Sequence, residues 1–395
     1  MDGHVSSGPG LPRAVPRCEY RVERRNPSMR ITAVTGHVLS SAFTYGNPAG
    51  PHGASRGGNL HLRNMDTLLV RVETDAGIVG WGEGFGFNLV RTTRQALTEL
   101  IAPVCRGEEL GDTPGLMRRL ERRFHNFGRN GAVTFALSGL DIALWDIAAK
   151  TVGKPLHALL GGAKRDRVPA YASLLRYGDP ALVARNTAAA IARGYRRIKL
   201  HEVDLACIRA ARDAAPPEVP LMLDINCAWD TVEQGIAFCR AVHGMNVRWV
   251  EEPIWPPEDF AGIAAVRREA GVGIAAGECL GSPESLGAML AAGAVDVVQP
   301  SITKMGGVTA MLAVRDLAAR HGAALVPHCP YYGPGLLASL HVLAAVAVEE
   351  PLEYYFADLA APPYPALVPR DGFVAVPQAP GLGLEIDPAL LATAA

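Results

Sequence analysis

A chain of 395 residues is longer than one ordinary domain and suits either two domains or one barrel with additions. A formal net charge of -1 and a charged fraction of 19% leave no basic face for nucleic acid and no acidic solvating tail, so a small molecule is the expected partner. Seven cysteines, an odd number scattered without a Cys-x-x-Cys pair, argue against a disulfide framework and a zinc site and fit a reducing cytoplasm.

Residues 1–28 are rich in Pro, Gly, Ser and Arg without an apolar centre, so they read as a disordered leader and not as a secretory signal. No apolar run reads as long enough to span a bilayer. From Ile31 to Gly84 the pattern is strand, long polar loop, strand, and Asp75, Ala76 and Gly77 between two alternating apolar segments signal a hairpin. The loop from Tyr45 to Asn59, which carries His52 and Arg56, is too long for a simple connection; it is either a lid over an active site or plain surface.

Helical periodicity dominates from Thr92 to Leu160, where Leu137, Leu140, Leu144 and Ile147 recur at spacings of three and four and form one apolar face. Asp141, Asp146 and Lys150 read as a solvated or structural face. Gly161 and Gly162 close the segment.

After Gly162 short apolar strands alternate with Ala-rich helices, the sign of parallel α/β architecture. The polar residues that end the strands are Ser173, Lys199 with His201, Asp224 with Asn226, Glu251, Glu278, Ser301, His328 and Glu353, at steps of 23 to 27 residues. Such regularity predicts a closed (β/α) barrel of eight strands with its functional groups at the C-terminal strand ends, although a last crossover helix is poorly marked. From Ala360 onwards the chain is Pro-rich, with one short strand, GFVAV, and is expected to return to the N-terminal domain.

Asp224, Glu251 and Glu278 end three successive strands at equal intervals of 27 residues, so they converge on one rim. Like charges that close together need a cation, and an all-oxygen set favours Mg²⁺ or Mn²⁺ over Zn²⁺. A substrate carboxylate on such an ion has its α-proton acidified, and a base is then required. Lys199 and His201, two residues apart on one strand, face the same side. Either serves as the base; in one division of labour Lys199 neutralises the substrate carboxylate and His201 moves the proton. His328, on the opposite side of the ring, supplies a second acid or base, which allows racemisation or elimination. Glu353 is expected to lie protonated against a substrate carboxylate oxygen. Trp229, Trp255, Tyr331 and Tyr332 fall on loops at the barrel mouth and suggest a partly flat-faced substrate, or packing.

The pieces ALSGLDIALWD with LLGG, IKLH, LDIN, VEEP, AGE, QPS with KMGG, and VPH, in that order, resemble the enolase superfamily, within it the mandelate racemase and muconate lactonizing enzyme group. The resemblance covers nearly the whole chain from Met29. It implies an α/β fold, a modified (β/α)₇β TIM-like barrel over residues 163–358, with an α+β capping domain over 29–162 completed by a C-terminal segment, 359–395. It also implies one Mg²⁺ on Asp224, Glu251 and Glu278, supported by Asn226 and Glu252, with the loop from Tyr45 to Asn59 as a specificity lid.

Two positions depart from the family's pattern. The usual Lys-x-Lys is Lys199, Leu200, His201, and the racemase-like subgroup's aspartate partner of the seventh-strand histidine is Ser301. A hydroxyl does not raise the imidazole pKa as a carboxylate does, so His328 is expected to suit a base more than a strong acid. The leading expectation is a metal-dependent acid-sugar-type dehydratase acting on a hydroxy carboxylate. Racemisation, epimerisation or cycloisomerisation shares the first step, and a catalytically silent metal- or carboxylate-binding paralogue is the alternative of another class. A homo-oligomer is implied by resemblance alone.

Overall fold

The computed structural model of the protein describes residues 29–44, 64–346, 350–359, 367–383, 385–386 and 391. The expected leader 1–28 and the loop from Tyr45 to Asn59, His52 included, lie outside the described residues.

Alternating apolar residues build an antiparallel sheet of β1 (Ile31–Thr44), β2 (Asn64–Thr74) and β3 (Val79–Gly84), with Val34 opposite Val72 and Val38 opposite Leu68. Gly77, at φ 77°, makes the expected turn between β2 and β3. Leu68, Val70 and Val72 pack on Leu137, Leu140, Leu144 and Ile147 of the helix Ala132–Thr151, the face predicted by periodicity. The strand lies so close to this helix that a Cβ on Gly82 would meet the Gly139 carbonyl oxygen at 1.9 Å. Gly82→Ala therefore forces backbone apart, and we expect a loss of about 3 kcal/mol or more in thermal denaturation, with a native-like melting temperature as the contrary outcome.

By length and composition this helix is long and apolar enough to cross a membrane, which the sequence reading did not anticipate; 83% of its apolar window is buried inside the protein, as in a core helix. Asp141 and Asp146 are not solvated. Asp146 accepts the Trp81 N–H at 2.9 Å, the Leu382 N–H at 2.8 Å and the Lys150 ammonium at 2.6 Å. Asp141 accepts the Thr309 N–H at 3.0 Å and so fastens the cap to the helix Gly307–His321.

Eight parallel strands follow: β4 (Arg167–Ser173), β5 (Ile198–Leu200), β6 (Leu221–Asp224), β7 (Val247–Glu251), β8 (Gly273–Ala276), β9 (Val297–Val298), β10 (Ala324–Leu325) and β11 (Leu352–Tyr355). They pair in sequence from β4 to β10, and β11 lies on the other side of β4, giving a (β/α)₇β barrel. Tyr171, Met222, Trp249, Ala275, Val297 and Val326 fill the interior. Helices follow each of the first seven strands; the seventh, Pro334–Ala345, has nearly every residue buried, so it carries no amphipathic period to mark it in the sequence. The short β12 (Asp358–Leu359) pairs with β1, and β13 (Phe373–Ala375) runs antiparallel to β4. Further on, the Gly381 carbonyl accepts the Leu156 N–H at 2.7 Å, which ties the C-terminal segment to the capping domain.

Two buried acids couple cap and barrel. Glu83 of β3 accepts the Gly335 N–H at 2.8 Å in the first turn of Pro334–Ala345. Burial pushes Glu83 up to about 7 against the pull of that N–H, and burial pushes Asp141 up to about 7 against its bonds from Thr309. Folded pKa values above the unfolded ones mean that the native state binds more protons, so this stability is complete below pH ~4 and is lost as pH rises through about 7. We expect stability to fall across that window by up to roughly 3 to 4 kcal/mol per acid, read as a falling melting temperature, and Glu83→Gln to flatten the slope. An unchanged slope in that variant contradicts the assignment.

Candidate active site

The strand register places the polar ends in two levels. Ser173 pairs with Lys199 and Lys199 with Met222, whereas Asp224, two residues further on, pairs with Glu251. His201 therefore stands level with Asp224. Glu278 follows β8 by two residues, across Gly277 at φ 133°, where a Cβ would press on Leu286 at 2.9 Å. One carboxylate oxygen each from Asp224, Glu251 and Glu278 lie within 4.8 Å of one another.

The donor set fits one hard divalent cation. All three are carboxylates, and Glu252 and Glu353 add two more buried acids beside them. Burial, then Asp224, raises Glu251 well above the usual carboxylate range despite Lys199, which is the strain that a cation relieves. Asn226 supports Asp224 as expected, donating to Oδ1 from its backbone at 3.1 Å and from Nδ2 at 2.8 Å.

Lys199 is 0% exposed, with Nζ 3.1 Å from Asp224, 3.1 Å from Glu251 and 2.8 Å from Glu353. Burial opposes its charge, yet Glu251, Glu353 and Asp224 hold its pKa well above the usual lysine range. In this arrangement Lys199 is a buried counter-ion to the three acids. Glu353 differs from expectation. Burial alone would protonate it, but Lys199 and then His328 outweigh that, and its Oε2 accepts the Cys329 N–H at 2.7 Å, so it is held as a carboxylate.

Two imidazoles flank the triad. His201 presents Nε2 3.3 Å from Asp224 Oδ2, and its Nδ1 meets the Leu174 carbonyl. A carbonyl only accepts, so Nδ1 carries the hydrogen, and Nε2 is the nitrogen turned towards the triad. His328 presents Nε2 2.7 Å from Glu278 Oε2, with Nδ1 3.2 Å from Ser301 Oγ. Facing a carboxylate, its Nε2 is the donor, and Nδ1 lies against the Ser301 hydroxyl, a group able both to donate and to accept. The position expected to hold an aspartate partner is thus filled by the Ser301 hydroxyl, as read from the sequence.

Ser173 Oγ is buried at the strand end without a partner. Tyr331 is 3% exposed, its hydroxyl on Ser301, and Tyr332 donates to the Tyr355 carbonyl at 2.8 Å, so neither stands open at the mouth. Trp255, 60% exposed, does. The sequence reading assigned no role to Gln299, which donates to Glu251 Oε2 at 2.8 Å, or to Arg176, which holds the His201 carbonyl and, at 3.1 Å, Asn226. Gln299 was visible inside the QPS motif; Arg176, on a loop after β4, carried no sequence signal. Lys304, a distant candidate in sequence, reaches Glu278 at 3.6 Å.

The comparisons agree with this geometry. Residues 49–161 match the model of the mandelate racemase / muconate lactonizing enzyme N-terminal domain, and residues 182–390 match that of the enolase C-terminal domain-like family. The chain is 31% identical over 384 residues to the D-galactarolactone cycloisomerase of Agrobacterium fabrum, covering 91% of this chain and 97% of that one. It is 31% identical to the D-galactonate dehydratase of Ralstonia nicotianae, covering 82% and 90%. Among solved structures, the 3,6-anhydro-D-galactonate cycloisomerase of Zobellia galactanivorans superposes with a TM-score of 0.80 at 27% identity, covering 92% of this chain and 98% of that one. A mandelate racemase/muconate lactonizing protein from Paracoccus denitrificans, complexed with magnesium, superposes with a TM-score of 0.76 at 28% identity, covering 93% and 98%. With both domain models matched and the carboxylate triad in place, the chain belongs to the enolase superfamily, in its mandelate racemase/muconate lactonizing enzyme family.

Proposed function

We propose that the protein is a Mg²⁺-dependent dehydratase that removes the α-proton of an acid-sugar 2-hydroxy carboxylate and expels the β-hydroxyl as water, leaving a 2-keto acid. The observation that carries this reading is the pair of imidazoles on either side of the triad, His201 beside Asp224 and His328 beside Glu278. Mg²⁺, or Mn²⁺ as a substitute, suits Asp224, Glu251 and Glu278 and supplies positive charge next to the substrate carboxylate.

His201 takes the α-proton at Nε2, oriented by the Leu174 carbonyl on its other nitrogen. His328 gives the proton at Nε2 to the departing hydroxyl, and Ser301 with Tyr331 behind it holds the ring in place. Lys199 balances the buried acids, with Glu353 fixing its ammonium. The relatives whose names specify dehydration of acid sugars support the reaction class. All six described cysteines are free, in keeping with a reducing cytoplasm as the place of action.

The test is a panel of aldonic and aldaric acids with Mg²⁺, assayed by mass spectrometry and carbonyl trapping. A trapped 2-keto product lighter than its substrate by one water is the expected result; no such product from any acid defeats dehydration. A second reading is cycloisomerisation, favoured by the relative from Agrobacterium fabrum, which matches over most of both chains. It gives a product of unchanged mass from a lactone or anhydro acid in the same panel.

A further inference from the structure

We propose that Glu252, Glu278 and Cys279 form a second cation position that shares Glu278 with the oxygen triad and takes a thiophilic divalent ion such as Zn²⁺, Co²⁺ or Cd²⁺. Sequence spacing argued against a zinc site because no cysteines are paired, but the fold makes a thiol and two carboxylates neighbours without any such pair.

One ligand atom from each of the three residues lies within 4.8 Å of the others. Cys279 Sγ is 3.7 Å from Glu278 Oε1. A tetrahedral ion with metal–sulfur and metal–oxygen bonds of about 2.3 and 2.0 Å requires a sulfur–oxygen edge of about 3.5 Å. The existing separation is within a small adjustment of that edge.

Glu252 provides an independent sign of an unfilled position. It is 4% exposed, and its Oε1 has no hydrogen-bond partner. A buried acceptor left unpaired is costly, and such atoms in native proteins call for a ligand or another explanation. Its backbone is held at φ 48°, a left-handed conformation unusual for a glutamate, while its N–H donates to the Ala275 carbonyl at 2.9 Å and its carbonyl accepts the Cys227 N–H at 2.9 Å. The residue is thus fixed in place with one oxygen uncommitted.

The thiol distinguishes this position from the triad. Sulfur selects borderline and soft ions, whereas Asp224, Glu251 and Glu278 offer oxygen alone. As the sulfur–metal bond forms, the Cys279 proton passes to solvent, because the thiolate is the ligand. Lys304 opposes the ion: its ammonium lies 3.6 Å from Glu278 Oε1 and, in the same position, 4.6 Å from the centroid of the Phe85 ring.

The experiment uses the full chain, freed of metal and then saturated with Mg²⁺, into which Co²⁺ is titrated while absorption is recorded. Thiolate-to-cobalt charge-transfer absorption is expected to rise with one equivalent of Co²⁺. Cys279→Ser should remove the band, Glu252→Gln should weaken Co²⁺ binding about tenfold or more, and Lys304→Met should tighten it. Co²⁺ that merely displaces Mg²⁺ from the oxygen triad gives no such band. No charge-transfer absorption in the wild-type chain overturns the proposal, as does a band of equal intensity in a folded Cys279→Ser variant. If that variant does not fold, unchanged Co²⁺ affinity in both Glu252→Gln and Lys304→Met overturns it. The readout is metal binding, so the result stands or falls separately from the dehydratase reading.

Discussion

Glu278→Gln is expected to lower kcat by about a thousandfold or more and to weaken Mg²⁺ binding at least a hundredfold. The substitution preserves size but removes the charge that completes the triad with Asp224 and Glu251. It also takes the anionic acceptor from His328 Nε2 at 2.7 Å and from Lys304 Nζ at 3.6 Å, so two cationic or proton-bearing groups lose their partner together. Calorimetric titration of Mg²⁺ separates the two losses. Binding and turnover should fall in parallel, and full Mg²⁺ affinity in a folded Glu278→Gln protein would remove Glu278 from the ligand set.

The two histidines should fail differently. His201→Asn removes the imidazole proposed to take the α-proton, and we expect about a thousandfold loss in kcat together with loss of the substrate's α-proton exchange. His328→Asn removes the ring proposed to protonate the leaving hydroxyl, so product formation should fall by a similar factor while α-proton exchange survives. Asparagine keeps some of the polar contacts of each ring without acting as a proton carrier, which favours folded variants. Rapid-quench kinetics on the two variants reads the split. Exchange lost in His328→Asn and kept in His201→Asn would invert the roles.

Much of this site was legible because barrel geometry converts sequence spacing into position. Asp224 and Glu251 end their strands in register, and their equal intervals reported that register directly. Glu278 kept the same interval although it stands two residues beyond β8, because Gly277 turns the chain back towards the rim. What the sequence could not show was partnership across strands. Lys199 Nζ lies among three acids and His328 Nε2 lies against Glu278, contacts that no spacing reports. Both outcomes depend on side chains from strands distant in the chain. The helix Pro334–Ala345 escaped notice for a different reason: buried on all sides, it has no polar face to set a period. For Asp141 and Asp146 the sequence left a solvated and a structural face open, and the structural one holds: these two bind backbone N–H groups at the junction with the barrel and the C-terminal segment.

The central claim is removal of the α-proton beside the ion held by Asp224, Glu251 and Glu278. Its most direct test is proton NMR of an accepted acid sugar turned over in D₂O, with Mg²⁺, after chelation, and after Mg²⁺ is restored. The predicted result is that the C2 proton passes to solvent in step with turnover, that both stop on chelation, and that both return with Mg²⁺. Turnover that delivers the C2 proton intact into the product, or exchange that continues undiminished in the chelated enzyme, would contradict the account.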